Sequence, residues 1–164
     1  MRTKKSSAVR RGSPLLNIKR ILVPSDFSPA SGKALDYAFH FARLCNSEVT
    51  LLHVLESADG FLDDPTVLSG PEKELEKNAR ENLNALIRAS RSRGVPETQS
   101  LIRIGVPTHE IVETAKELDV DLIVIATHGF TGWRHFTIGS TAERVARAAP
   151  CPVLVVREKE HEFI

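Results

Sequence analysis

Apolar and polar positions follow two alternating patterns along the chain. Short, nearly continuous apolar runs are typical of strands covered on both faces, and they predict five strands, at 20–25, 48–55, 97–103, 121–127 and 153–156. Between these runs, apolar residues recur at spacings of three and four, as they do on one face of a helix. This second pattern predicts four helices, at 29–45, 71–93, 107–118 and 140–149.

The strict alternation of strands and helices predicts the fold class. It favours an α/β protein: a single-domain, five-stranded parallel sheet, Rossmann-like, with helices on both faces joined by right-handed crossovers. A chain of 164 residues suffices for one such domain. The fourth strand has the most hydrophobic sequence and is predicted to be central. Ligands bind such sheets beyond the carboxyl ends of the strands, where the winding reverses, so the loops after strands one and four form the candidate site.

The net charge of +1 conceals a basic N-terminal segment. Residues 1–20 hold seven of the 22 basic side chains and no acidic one, so the rest of the chain holds 15 basic and 21 acidic groups. We therefore predict a disordered basic arm at 1–18, a folded domain at 19–158 and a short tail at 159–164. A basic arm can bind nucleic acid or anionic lipid. Because this arm has no aromatic side chain to stack on bases, nucleic acid is a disfavoured partner.

The sequence favours a cytoplasmic protein without a membrane partner. No apolar run approaches the ~20 residues that cross a bilayer, and the N-terminal segment lacks the apolar core of a secretory signal. Cys45 and Cys151 form neither a disulfide framework nor, with the histidines, a zinc motif. No metal ligand is therefore expected.

The loop between strand four and helix four carries the residues best suited to bind a ligand. Gly129 and Gly132 allow a ligand to approach the backbone closely. Gly139 and Ser140 lie where a helix begins, and the unpaired N–H groups there favour an anion. Ser140 and Thr141 add hydroxyl donors. The residue types alone leave a second interpretation open, namely a turn followed by an ordinary serine-capped helix.

Four short motifs stand in order along the chain. They are Pro24-Ser25-Asp26-Phe27-Ser28 after strand one, Leu52-His53-Val54 at the end of strand two, Gly129 followed after nine residues by Gly139-Ser140, and 149–156. Together they resemble the universal stress protein family, over about residues 19–157. The chain departs from the family's Gly-x2-Gly-x9-Gly-Ser/Thr signature at the first glycine, where it has Ala126. If that position required a positive φ, alanine there would be strained.

The resemblance implies a fold like that of the adenine nucleotide alpha-hydrolases and a bound ATP or other adenine nucleotide, with or without magnesium. It implies that adenine and ribose are lined by Pro24, Ser25, Asp26 and Val54. The phosphate region would comprise Ala126, His128, Gly129, Gly132, Gly139, Ser140 and Thr141. Asp26 has a second interpretation, as a loop carboxylate that caps the helix starting near Ser28. Val54 is otherwise a core residue, and His53 is predicted to be a structural histidine.

The resemblance also implies a regulatory stress-response protein that forms a homodimer through strand 153–156. This strand ends the chain of crossovers, and its four consecutive apolar residues leave a sheet edge that a second copy would cover. The protein partner that it regulates is not specified by the sequence. Two alternatives are a slow ATPase and an interaction module that has lost nucleotide binding. A Walker lysine motif is absent and no general base is paired with a nucleophile, so an efficient enzyme is not expected.

Overall fold

The computed structural model describes residues 17–56, 70–127 and 139–158. In these ranges strands and helices alternate, as predicted. The strands are β1 Arg20–Pro24, β2 Glu48–Leu55, β3 Glu97–Ile104, β4 Leu122–Ala126 and β5 Val153–Val156. The helices are α1 Pro29–Cys45, α2 Gly70–Ser92, α3 Pro107–Glu117 and α4 Ser140–Ala148. Most of the predicted basic arm and the whole predicted tail lie outside the described residues.

The five strands form one parallel sheet in the order β3-β2-β1-β4-β5. The prediction that strand four is central was wrong, because β1 occupies the centre. A continuous apolar sequence indicates that a strand is buried on both faces. Both β1 and β4 have such a sequence, so hydrophobicity does not show which of them is central. The chain winds outward from β1 in both directions. The loops after β1 and β4 are therefore neighbours at the reversal point, as predicted.

Helices cover both faces of the sheet, which confirms the predicted fold class. Ile21 and Val23 of β1 pack into one buried cluster with residues of α1 and α2. Leu22, between them, packs into a second cluster with residues of α3 and α4. This alternation follows from the period of two in a strand, which sends successive side chains to opposite faces. In the described ranges no helix is long and apolar enough to cross a membrane.

One carboxylate fastens the amino end of β1 to the start of β4. The backbone N–H groups of Lys19 and Arg20 donate to Oδ2 of Asp121, at 2.7 and 2.9 Å. The carbonyl of Arg20 in turn accepts the N–H of Asp121 at 2.9 Å. These bonds fix the point at which the N-terminal segment enters the sheet.

Candidate functional site

A cavity of about 350 Å³ opens at the carboxyl ends of β1, β2 and β4. Eight of the eleven residues predicted for the site line it: Pro24, Ser25, Asp26, Val54, Ala126, Gly139, Ser140 and Thr141. The other three, His128, Gly129 and Gly132, lie outside the described residues. The structure thus brings together the loop after β1, the end of β2 and the start of α4 at the place where the winding of the sheet reverses.

The Ser25 side chain supports the β1–α1 loop from inside. Its hydroxyl lies 3.2 Å from Oγ of Ser31 and accepts the N–H of Phe27 at 3.2 Å. Because the Ser31 hydroxyl donates to the carbonyl of Ser28 at 2.9 Å, the proton between the two serines belongs to Ser25. Ser25 is buried, although it forms part of the cavity wall.

Asp26 is half-buried in the cavity wall, and one of its oxygens holds the loop. Its Oδ1 accepts the backbone N–H of Ser28 at 3.1 Å. The N-cap of α1 is Ser28 itself, whose hydroxyl accepts the N–H of Ser31 at 3.2 Å, and Pro29 occupies the first helical position. The helix is therefore capped by Ser28 and not by Asp26, which instead supports the loop by accepting the N–H of the cap residue. Asp26 also lines the cavity, as the other interpretation requires.

The helix α4 begins at the cavity without a side-chain cap. Its N-cap is Gly139, which has φ −58° and ψ 148° and provides no side-chain acceptor. The first intrahelical bond runs from the N–H of Glu143 to the carbonyl of Gly139, at 3.0 Å. The N–H groups of Ser140, Thr141 and Ala142 therefore come before the first intrahelical donor and have no acceptor within the helix, and all three residues line the cavity. The serine-capped interpretation is wrong, because Ser140 is the first helical residue.

Ala126 ends β4 in an extended conformation. It pairs with Val156 in the parallel ladder and is not one of the described residues with positive φ. Because this position does not require a positive φ, alanine is not strained here. Its methyl group can affect a ligand only by the room that it occupies. Thr127 follows Ala126. Its backbone N–H donates to the carbonyl of Val156 at 2.8 Å, and its carbonyl accepts the N–H of Gly139 at 2.7 Å. This last bond places the start of α4 beside the end of β4.

Part of the cavity wall was not predicted from the sequence. Pro107 and Ile111 reach it from α3, and Glu56 reaches it from the end of β2. Only Gly105 and Val106 separate β3 from α3, so the helix starts at the same edge of the sheet. Because ligands lie at the carboxyl ends of the strands, the sequence could have indicated this short connection as part of the site. No motif in it, however, suggested a ligand.

His53 was predicted to be structural, and it is hydrogen-bonded, yet it also lines the cavity. Its Nδ1 lies 2.8 Å from the carbonyl oxygen of Ser25, and its ring stacks on Phe27 with the centroids 4.4 Å apart. The ionisable side chains in the described lining are thus Asp26, His53 and Glu56. Within the described ranges, no group of three or more His, Cys, Asp or Glu residues could hold a metal ion.

Comparison with known proteins gives consistent matches. The model of the Universal stress protein family matches residues 17–157. A universal stress protein of Methanocaldococcus jannaschii is 34% identical over 159 residues, which cover 96% of this chain and 91% of that protein. The structure of universal stress protein UspA from Lactobacillus plantarum superposes with a TM-score of 0.78 at 29% identity, covering 87% of this chain and 99% of that one. A universal stress protein from Archaeoglobus fulgidus in complex with dAMP shares the fold, with a TM-score of 0.64 at 24% identity over 86% of this chain and 99% of that one.

Proposed function

Since the chain belongs to the universal stress protein family, we propose that it is a regulatory stress-response protein that binds an adenine nucleotide: ATP, ADP or AMP. The observation that carries the proposal is the start of α4. Its N-cap, Gly139, has no side chain to cap the first N–H groups, and Ser140 and Thr141 line the same cavity as Asp26. N–H groups at a helix start suit an anion such as a phosphate, and a carboxylate suits hydroxyl groups such as those of ribose. The two ends of the cavity therefore match the two polar ends of a nucleotide.

The phosphates would lie against Gly139, Ser140 and Thr141. A glycine N-cap has no side chain to keep a ligand away from the backbone, and the helix dipole favours negative charge at this end. The hydroxyl groups of Ser140 and Thr141 supply further donors. Residues of the loop 128–138 would complete this region, as the sequence predicts for His128, Gly129 and Gly132.

The nucleoside would lie between β1 and β2. Asp26 is the acidic residue beside Pro24 and Ser25, and a carboxylate oxygen accepts readily from ribose hydroxyl groups. Val54, half-buried at the end of β2, would cover the adenine ring. The dAMP complex of the Archaeoglobus fulgidus protein has the same fold, and at its level of identity it supports the fold rather than these contacts.

A homodimer through β5 is part of the proposal. β5 is an edge strand, and no strand in the described ranges pairs with its outer side. Val153, Leu154 and Val155 are only half-buried. Pairing with a second copy about a two-fold axis would satisfy the outer N–H and C=O groups of both strands.

Efficient catalysis is not expected from this site. Two of the hydroxyl groups in the described lining, Ser25 and Ser31, contact each other rather than a base. We expect steady-state phosphate release from ATP with magnesium to stay well below ~1 s⁻¹, the lower end of typical enzyme turnover. A faster rate that persists through a second purification, and that Asp26→Asn abolishes, would instead favour the ATPase alternative.

Titration calorimetry with AMP, ADP and ATP, each with and without magnesium, tests the proposal. At least one nucleotide should bind with one site per chain, and its binding should shift the amide NMR signals of Ser140, Thr141 and Ala142. Inosine monophosphate and inorganic phosphate serve as controls for the base and for the anion alone. Absence of binding by all three nucleotides, or shifts confined to residues away from α4, contradicts the proposed site.

A further inference from the structure

Two hydrogen bonds join Ser25 of the β1–α1 loop to β2. The N–H of Ser25 donates to the carbonyl of Leu52 at 2.8 Å, and its own carbonyl lies 2.8 Å from Nδ1 of His53. A carbonyl oxygen only accepts, so Nδ1 of His53 carries the hydrogen and donates it. Consecutive residues of β2 thus hold both backbone groups of Ser25.

The same histidine contacts the loop a second time, at Phe27. The Phe27 backbone has φ 63°, a left-handed conformation that is unfavourable for a residue with a side chain. The Phe27 ring stacks on the His53 ring at a centroid distance of 4.4 Å and an interplanar angle of 28°. The stacked rings are thus a second contact between β2 and the loop, at the residue with the left-handed backbone.

Asp26 lies between the two residues that His53 contacts. We propose that His53 is a positioning residue: its Nδ1–H, bonded to the Ser25 carbonyl, sets the turn that places the Asp26 carboxylate in the cavity. This inference rests on the proposed function, in which Asp26 binds the ribose. His53 acts through the loop, so its effect on nucleotide affinity passes through Asp26 and requires no contact with the ligand.

The substitutions His53→Asn and His53→Leu separate the donor from the ring. The side-chain nitrogen of asparagine is bonded to Cγ, as Nδ1 is in histidine, whereas leucine has the same branching without a donor. Both variants lose the stacking on Phe27. We expect His53→Asn to bind ADP within about threefold of the parent protein, and His53→Leu to bind at least about tenfold more weakly, as for a lost hydrogen bond. Equal affinities for the two variants would overturn the proposal.

A double-mutant cycle with Asp26→Asn tests whether the effect passes through Asp26. If it does, His53→Leu should weaken ADP binding by less than about threefold when Asp26 is already asparagine, because there is no carboxylate left to position. A merely structural role predicts the same loss in both backgrounds. Full additivity therefore contradicts the positioning role even if both single variants bind weakly.

Two measurements without ligand keep this inference separate from the proposed function. Nitrogen NMR of the parent protein should show His53 protonated at Nδ1; protonation at Nε2 alone would rule out the bond to Ser25. Amide exchange at Phe27 and Ser28, whose N–H groups donate to Ser25 Oγ and Asp26 Oδ1, should be faster in His53→Leu and unchanged in His53→Asn. If no adenine nucleotide binds, the proposed function fails, while these measurements still decide whether His53 sets the turn.

Discussion

Replacing Gly139 by alanine and by valine tests the phosphate site most directly. The Gly139 backbone, at φ −58° and ψ 148°, suits any residue, so neither variant requires an unfavourable backbone conformation. Losing glycine at the N-cap costs about 1 kcal/mol of stability. Replacing glycine also lowers the conformational entropy of the unfolded chain, which stabilises the folded state by about 0.4–1 kcal/mol. The free energy of unfolding should therefore change by no more than about 1 kcal/mol.

The free energy of binding should change more. Gly139 lines the cavity together with Ser140, Thr141 and Ala142, so a side chain added there would compete with a phosphate for the space beside their N–H groups. If valine displaces a phosphate oxygen from one or two of these donors, the loss is about 1–3 kcal/mol, or roughly a 5- to 150-fold higher Kd. Alanine should have an intermediate effect. Calorimetric titration with ADP measures the affinity, and thermal unfolding provides the control. A valine variant that binds as tightly as the parent protein would place the phosphates elsewhere.

Three further predictions concern other parts of the molecule. Ser28→Ala leaves the buried N–H of Ser31 without its acceptor and should lower the free energy of unfolding by about 1 kcal/mol and Tm by about 2–4 °C; an unchanged Tm in calorimetry would contradict this role of the cap. The carbonyls of Pro152 and Val156 accept N–H groups of Ile123 and Thr127, so the alternate residue Val155 directs its backbone to the outer edge of β5. Val155→Pro removes a donor from that edge and should convert a dimer to monomers in light scattering, whereas a monomeric parent protein or a dimeric variant would exclude this interface. Burial, reinforced by the Asp121 carboxylate and opposed by a backbone hydrogen bond with Ile123, raises the pKa of the Cys151 thiol. In Cys45→Ser, alkylation of Cys151 at neutral pH should therefore be slower than that of a free-cysteine peptide and should accelerate with pH; an equal rate would refute the assignment.

Much of the fold was predictable because the strands have sharp boundaries in the sequence. The bounds of β2 and β5 agree with the prediction residue by residue, since continuous apolar runs end there at polar residues or follow proline. The order of the strands was less accessible. Apolar sequence indicates that β1 and β4 are each covered on both faces, but their neighbours in the sheet depend on how the crossovers wind.

The site was predictable where short motifs carry it and not where separate segments meet. Gly139 and Ser140 are adjacent in sequence, and their place at a helix start was enough to mark them as candidates for binding an anion. His53 and Ser25 are 28 residues apart, and neither spacing nor periodicity indicates that a ring nitrogen of one contacts the carbonyl of the other. Pro107 and Ile111 look like ordinary helix residues in the sequence, and only the packing of α3 brings them to the cavity.

The bonds from Asp121 to Lys19 and Arg20 lie at the edge of the sheet opposite the cavity. They anchor the chain at the amino edge of the sheet, and the cavity lies at the carboxyl edge, one length of β1 away, about 16 Å for five residues. The described chain thus enters the sheet at the edge opposite the cavity. A fusion partner that replaces residues 1–16 would join the domain at that edge. A surface tethered at this junction should leave the mouth of the cavity facing solution.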